Sequence, residues 1–591
     1  MSNSDQHDGY GTAGVGALAV AAVAFGGGAS AVLSSDTEEG PTGTQSAKTG
    51  AEPAITEAQA ARFLLRASLY ASDGEIAAIR SEGYGPWLDR KMRLDNNRTG
   101  ARFMRAKGFE VVDANRWYGG AGPGDRMIWS QLLQGSNSVR KRAALALSEI
   151  IVVSLNSIPM PWKSSAITAY WDILNLHAFG NYRSLLQDIV TNPAMGVFLN
   201  TRGNKKGDPA TGRVPDENFG REIMQLFTIG LYELNQDGSL RLDGNGQPIE
   251  TYDNDDVTGI AKCFTGYDFD YAGIGFTPDV DGTKMVEDAD YAYRPMTTDT
   301  SRWKNPKSGA DFHSRQEKRF LGTVIPAGTG PRKTLRLTLD ALFNHPNVGP
   351  FVGRQLIQRL VTSNPSGAYV SRVAAAFNDN GAGVRGDLAA VFKAVLTDPE
   401  ALADANLTSA TFGKLREPML RYVQWARTFG ARSASGKYEI GDLSDPEDKL
   451  GQAPLRSPSV FNFFRPGYIP QNTTTAQADL VAPEMQLVNE SSVAGYVNFM
   501  EKVVSGDSFF TRDVAAQYRE ELKIAHDAQA LMDRLDLLLT ANQMADDTKA
   551  LILSVMQSYD IDETTPDDLK LRRIHAGVFL VMISNDYLIQ R

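Results

Sequence analysis

The densest group of reactive side chains lies at 215–230, PDENFGREIMQLFTIG. Glu217 and Glu222 supply carboxylates, Arg221 a guanidinium, and Asn218 and Gln225 carboxamides. Pro215 and Asp216 give a start signal and Gly230 a stop, so the spacing predicts a helix. At the helical period Phe219, Ile223, Leu226 and Phe227 share one face. Asn218, Glu222 and Gln225 share another, flanked by Glu217 and Arg221. Glu217 and Arg221 stand at the i,i+4 spacing that lets opposite charges pair. Such a set could bind a divalent metal or do acid/base chemistry, with Arg221 clamping an anion. It is equally what a solvated face or an internal salt-bridge network looks like, and spacing alone favours that plainer reading.

Of the six histidines, His7, His177, His313, His345, His526 and His575, none forms an H-E-x-x-H pair, which excludes a zincin-type site. His313 sits in DFHSRQEKRFLG beside Asp311, Glu317 and Lys318. It is the candidate acid/base or ligand to join Glu217, Arg221 and Glu222, with Lys318 as a binding group; a structural histidine is the alternative. His345, ahead of Pro346, needs no role beyond a helix boundary. The aspartates of TYDNDD lack the EF-hand order of ligands. Asp255 or Asp256 is expected to cap a helix through Val257, Ile260 and Phe264, with Cys263 buried on its apolar side. No G-x-S-x-G elbow, Walker loop or G-x-G-x-x-G turn is present, which weakens a serine-hydrolase or nucleotide reading.

The elements that must position these groups read as mainly α: one large multi-helix domain over 55–591, with a small β-hairpin and irregular insertion around 231–325. Thr56 caps a first helix, Ser72 a second, and long apolar helices are expected at 139–155 and 170–190. Later helices are expected at 350–363, 367–377, 386–397, 412–430, 476–504, 510–540, 546–558 and 567–588. The break comes at LYELNQDGSLRLDGNGQPIETYD, where Asp-Gly and Asn-Gly turns between short alternating runs predict one or two hairpins. Residues 268–312, rich in Gly, Asp and Tyr, carry no period. Tyr267, Tyr271, Tyr291, Tyr293 and Trp303 there could bind a carbohydrate or polymer, or simply pack the excursion onto the helices.

Before the domain, 1–33 reads as a signal-like apolar leader and 34–54 as a flexible polar linker. Gly11 to Leu33 is small and apolar, and Ala29-Ser30-Ala31 has the form a signal peptidase accepts. The n-region is acidic rather than basic, which counts against export. The run is also too glycine-rich for a stable membrane span. A periplasmic or secreted location is the expectation. With 70 acidic against 60 basic residues the chain carries a net charge of −10, which argues against nucleic acid as a partner. A single cysteine excludes an intramolecular disulfide framework.

A series of blocks runs in a recognisable order: AARFLLRASL at 60–69, RKRAALALSEIIVVS at 140–154 and NPAMGVFLN at 192–200. DENFGREIMQLFTIGLYELNQDGS at 216–239, DVTGIAKCFTGY at 256–267 and HPNVGPFVGRQLIQRLVTSNPS at 345–366 follow. LREPMLRYVQWAR at 415–427 and LGQAPLRSPSVFNFFRPGYIP at 450–470 complete it. Together they resemble the bacterial family labelled domain-of-unknown-function 1800, from about residue 60 to the end. The resemblance implies a largely helical, often exported protein with no established activity. It also implies a possible partner, an exported phosphatase/sulfatase-like protein whose family is frequently encoded beside this one. The family's most recognisable block falls on Glu217, Asn218, Phe219, Arg221 and Glu222, with Gly220 a mild departure. In a second block the family's His-Asp is His313-Ser314 here, which puts in doubt any role needing that pair. Three functions stay open: a noncatalytic envelope scaffold or partner, an envelope hydrolase or transferase built on the Glu217–Glu222 helix and His313, and polymer binding by the aromatic excursion.

Overall fold

The computed structural model describes residues 54–299, 311–506 and 513–591. The expected leader, nearly all of the expected linker, and Trp303 lie outside the described residues. The fold begins with Thr56. Its hydroxyl accepts from the Gln59 N–H while the Gln59 side chain accepts from the Thr56 N–H. This reciprocal cap starts the helix Glu57–Ala67, which buries Ala60, Phe63, Leu64 and Ala67. The chain is mainly α: helices run from one end of residues 54–591 to the other, and these residues pack as one unit.

Two helices form the centre. Ser138–Ser148 and Lys163–His177 are buried along most of their length, with Tyr170, Trp171 and Leu174 fully enclosed. The first stops short of the expected 155 because Ile151, Val152 and Val153 lead into extended backbone, the preference of β-branched residues. The helix expected over 170–190 is two, Lys163–His177 and Tyr182–Val190. Gly180 breaks it, and the Asn181 side chain caps the second piece by accepting from the Arg183 N–H. Farther on, Val348–Leu360, Gly367–Asn378, Leu388–Leu396 and Asp546–Gln557 lie where expected. The segment 412–430 is a short strand, Lys414–Leu415, followed by the helix Pro418–Thr428. Residues 476–504 are not one helix, since Pro483 opens a separate turn before Glu490–Ser505 begins.

Among the described residues the strands form four two-stranded sheets. The expected hairpins at 231–251 are a small ladder with bridges Tyr232↔Glu250, Leu234↔Leu240 and Leu242↔Pro248. The excursion that follows holds the hairpin Phe276–Pro278 with Met285–Glu287. It is tied to the helical body by Tyr291, whose hydroxyl donates to the Pro161 carbonyl at 2.8 Å. Trp162 Nε1 donates to the Glu287 carbonyl at 2.6 Å. Among the described residues no helix is long and apolar enough to cross a membrane.

Candidate functional site

The helix Asn218–Gln225 is held against Asn254–Ala261 by small and aromatic residues. Gly220 faces that neighbour so closely that a Cβ would stand 2.9 Å from Ile260 Cγ2. Phe219 meets Phe264 edge to face, centroids 4.7 Å apart. The second helix is capped by Asp253, with Asp256 closing a capping box, rather than by Asp255 or Asp256. Asp253 has the extended backbone an N-cap needs, and Asp255 and Asp256 already lie inside the first turn. Asp256 also accepts from the Leu321 N–H, which docks the hairpin Lys318–Phe320/Thr323–Ile325 on this helix.

This packing presents the polar side chains. Glu217 and Arg221 are half exposed and 3.5 Å apart, and Glu217 Oε1 also accepts from the Thr258 hydroxyl at 3.1 Å. The Gln225 carbonyl oxygen accepts from the Tyr252 hydroxyl at 3.1 Å. Asn218 is half-buried, and its backbone N–H donates to Asp216. Glu222 is the buried member, and its Oε2 has no hydrogen-bond partner. Burial raises its carboxyl above the ordinary range, with Arg221 pulling the other way. Glu217, Arg221, Glu222 and Gln225 are thus one local group.

His313 and Lys318 belong to a different, interior network, and no hydrogen bond or ion pair joins them to that group among the described residues. His313 is fully buried; Nδ1 lies 2.9 Å from the Thr265 carbonyl and Nε2 3.4 Å from the Thr334 hydroxyl. Burial pushes its imidazole down to about 4, so it is neutral at pH 7. Lys318 is also fully buried, donating to the Ser314 and Gln316 carbonyls. Cys263 is fully buried, its thiol pushed up to about 12 by burial. In the excursion, Phe269, Tyr271 and Tyr291 pack on one another with centroids 4.9–5.9 Å apart, and Tyr267 is buried.

The largest concentration of charge lies elsewhere and was not singled out in the sequence. Arg142, Glu149, Arg359, Lys414, Glu417 and Glu484 meet in the interior, and none is more than 5% exposed. Arg359 Nε stands 3.1 Å from Glu149 Oε2, and its guanidinium lies over the Phe464 ring at 4.8 Å. Lys414 Nζ is 2.9 Å from Glu484 and 3.7 Å from Glu417. It also donates to the Arg359 carbonyl at 2.9 Å, a carbonyl that Arg142 shares. Gln452 Nε2 donates to Glu417 at 2.7 Å. Three cations lie among three carboxyl groups, and pairing of this kind is what allows ions to be buried. Glu149 carries the strain of this arrangement: burial, and then the Glu417 charge, push its carboxyl up to about 8. Burial would raise Glu417 as well, but Lys414, Arg142 and Arg359 outweigh it and hold that carboxyl below its ordinary value.

Beside Glu149 is a cavity of about 10 Å³, room for a single water, lined by Ser457 and Asn462 among others. Ser457 Oγ and Asn462 Nδ2 have no hydrogen-bond partner there. A carboxyl at about 8 can exchange a proton near neutral pH, and the cavity beside it has room for a water. One signal could have found the cluster. Arg142 and Glu149 bracket the apolar run Ala143–Leu147 on and just after a helix that is buried along most of its length, and ions buried there must be paired.

Arg142, Glu149, Arg359, Glu417, Gln452, Ser457 and Asn462 all come from the ordered blocks quoted above, and Lys414 directly precedes one. Among the described residues no group of three His, Cys, Asp or Glu side chains is placed to hold a metal ion. No curated protein and no solved structure matches the chain. The family model described as "Protein of unknown function (DUF1800)" matches residues 62–589, nearly the whole chain, and the protein belongs to that family.

Proposed function

We propose that the protein is a noncatalytic component of the bacterial envelope, exported and acting as a scaffold or partner for an exported phosphatase/sulfatase-like protein. The observation that carries this reading is the use made of its charged residues. Arg142, Glu149, Arg359 and Glu417 of the ordered blocks are spent, with Lys414 and Glu484, on a buried charge cluster, and His313 and Lys318 are consumed in interior hydrogen bonds. Export is supported by the apolar run Gly11 to Leu33 and the cleavable form of Ala29-Ser30-Ala31.

One observation favours a second reading, an envelope hydrolase or transferase using a divalent metal. Glu222 Oε2 is buried without a donor, beside Arg221 and near the half-exposed Glu217. In that case Glu222 or Glu217 is the base or ligand and Arg221 the anion clamp, while His313 would have to leave its present partners. Metal analysis of the purified protein and of Glu222→Ala, with circular dichroism on both, separates the two. The scaffold reading expects no stoichiometric metal in either protein. One equivalent of metal in the wild type, lost in a variant that remains folded, would replace it with the enzyme.

A further inference from the structure

A cleft of about 260 Å³ opens where the end of Gly122–Gln134, the start of Ser138–Ser148 and the end of Pro418–Thr428 meet. It shares no lining residue with the Glu217–Glu222 group or the buried charge cluster. Its volume is at the small end for ligand pockets, which run from about 300 Å³ upward. Its charge is opposite to that of the chain: Lys91, Arg427 and Arg432 line it against Glu75 alone, in a protein whose net charge is −10.

These cations are placed differently. Lys91 is paired with Glu75. Arg427 is fixed by donating to the Leu132 and Gly135 carbonyls, and its guanidinium lies 5.6 Å from the Tyr70 ring centroid. Two neutral carbonyls leave its charge uncompensated. Arg432 is exposed and makes no ion pair or hydrogen bond through its side chain among the described residues. Gln134, Ser136 and Tyr70 also line the cleft, and their side chains likewise have no hydrogen-bond partner among the described residues. A carboxamide and two hydroxyls both donate and accept, as the hydroxyls of a sugar require, and guanidinium groups match oxyanions.

We propose that this cleft binds one small hydroxyl-rich anion, a sugar bearing a carboxylate or a phosphate. Arg432 and Arg427 take the anionic group; Gln134, Ser136 and Tyr70 take the hydroxyls. This gives the protein a ligand-binding site independent of any partner surface. The test is calorimetric titration of the full-length chain with glucuronate, glucose 6-phosphate, glucose and inorganic phosphate. Saturable one-to-one binding of at least one acid is expected, with glucose at least tenfold weaker, and the preferred acid identifies the anionic group. Arg432→Gln should weaken that binding at least tenfold, and Gln134→Ala severalfold, both with unchanged melting temperature because neither side chain makes a hydrogen bond or ion pair among the described residues. Absence of binding by both acids overturns the proposal. So does inorganic phosphate binding as tightly as glucose 6-phosphate, or wild-type affinity in both variants.

Discussion

Glu149 is the residue at which burial and charge are most finely opposed. Its carboxyl sits at about 8 when folded against about 4.5 for an ordinary glutamate, so the folded state holds a proton the unfolded chain releases. The stability this contributes is complete below about pH 4.5 and is lost as the pH rises through about 8. Glu149→Gln keeps the shape and cannot ionise. Its Tm is expected to fall between pH 6 and pH 9 by about 2 °C less than the wild type's, because two pH units of linkage amount to roughly 2–3 kcal/mol and the unfolding entropy of so large a unit is ~1 kcal/mol/K. Parallel Tm curves for the two proteins would show that Glu149 does not titrate in this range. At this scale the sequence was legible only in part. The Glu217–Arg221 pair follows from its spacing and is present at 3.5 Å. The partners of Glu149 come from Arg359, Lys414 and Glu417, remote in the chain, and no local pattern announces them.

Elements meet here through glycines as much as through large side chains. Gly259 lies in Asn254–Ala261 where the Lys318–Phe320 strand crosses it, and a Cβ there would fall inside the Arg319 carbonyl oxygen. Backbone cannot rotate aside as a side chain can, so Gly259→Ala must push the hairpin off the helix. A loss of about 3 kcal/mol is expected, the upper end for overpacking a filled interior, measured as a drop in urea midpoint. A midpoint within error of the wild type would mean that the hairpin docks loosely. Helix positions were largely readable because their apolar period is strong, as in Val348–Leu360. The failures have two causes. The Ile151–Val153 run stays apolar after the helix has ended, whereas Gly180 and Pro483 are single backbone breaks inside segments whose helical period resumes beyond them.

Across the whole molecule, the last residues close the fold. Ile589–Gln590 pairs with Lys414–Leu415, the Arg416 N–H donates to the Leu588 carbonyl, and Gln590 Nε2 donates to the buried Leu360 carbonyl at 2.9 Å. Lys414 is at once the sheet partner of Gln590 and a member of the charge cluster. Deleting Ile589–Arg591 should therefore cost about 2–4 kcal/mol at roughly 1 kcal/mol per buried hydrogen bond, read as a lower melting temperature. An unchanged melting temperature would place the strand outside the cooperative unit.

The cluster also sets an order of events. Glu149 is made early in synthesis, its cationic neighbours Arg359 and Lys414 much later, and Glu484, the partner of Lys414, last of all. Until that last segment arrives, closing the interior would strand unpaired ions in it, and contacts between segments so remote form slowly. The half-made chain is thus held back from premature collapse by its own electrostatics. A polypeptide that commits late remains threadable, the state that the proposed export would require.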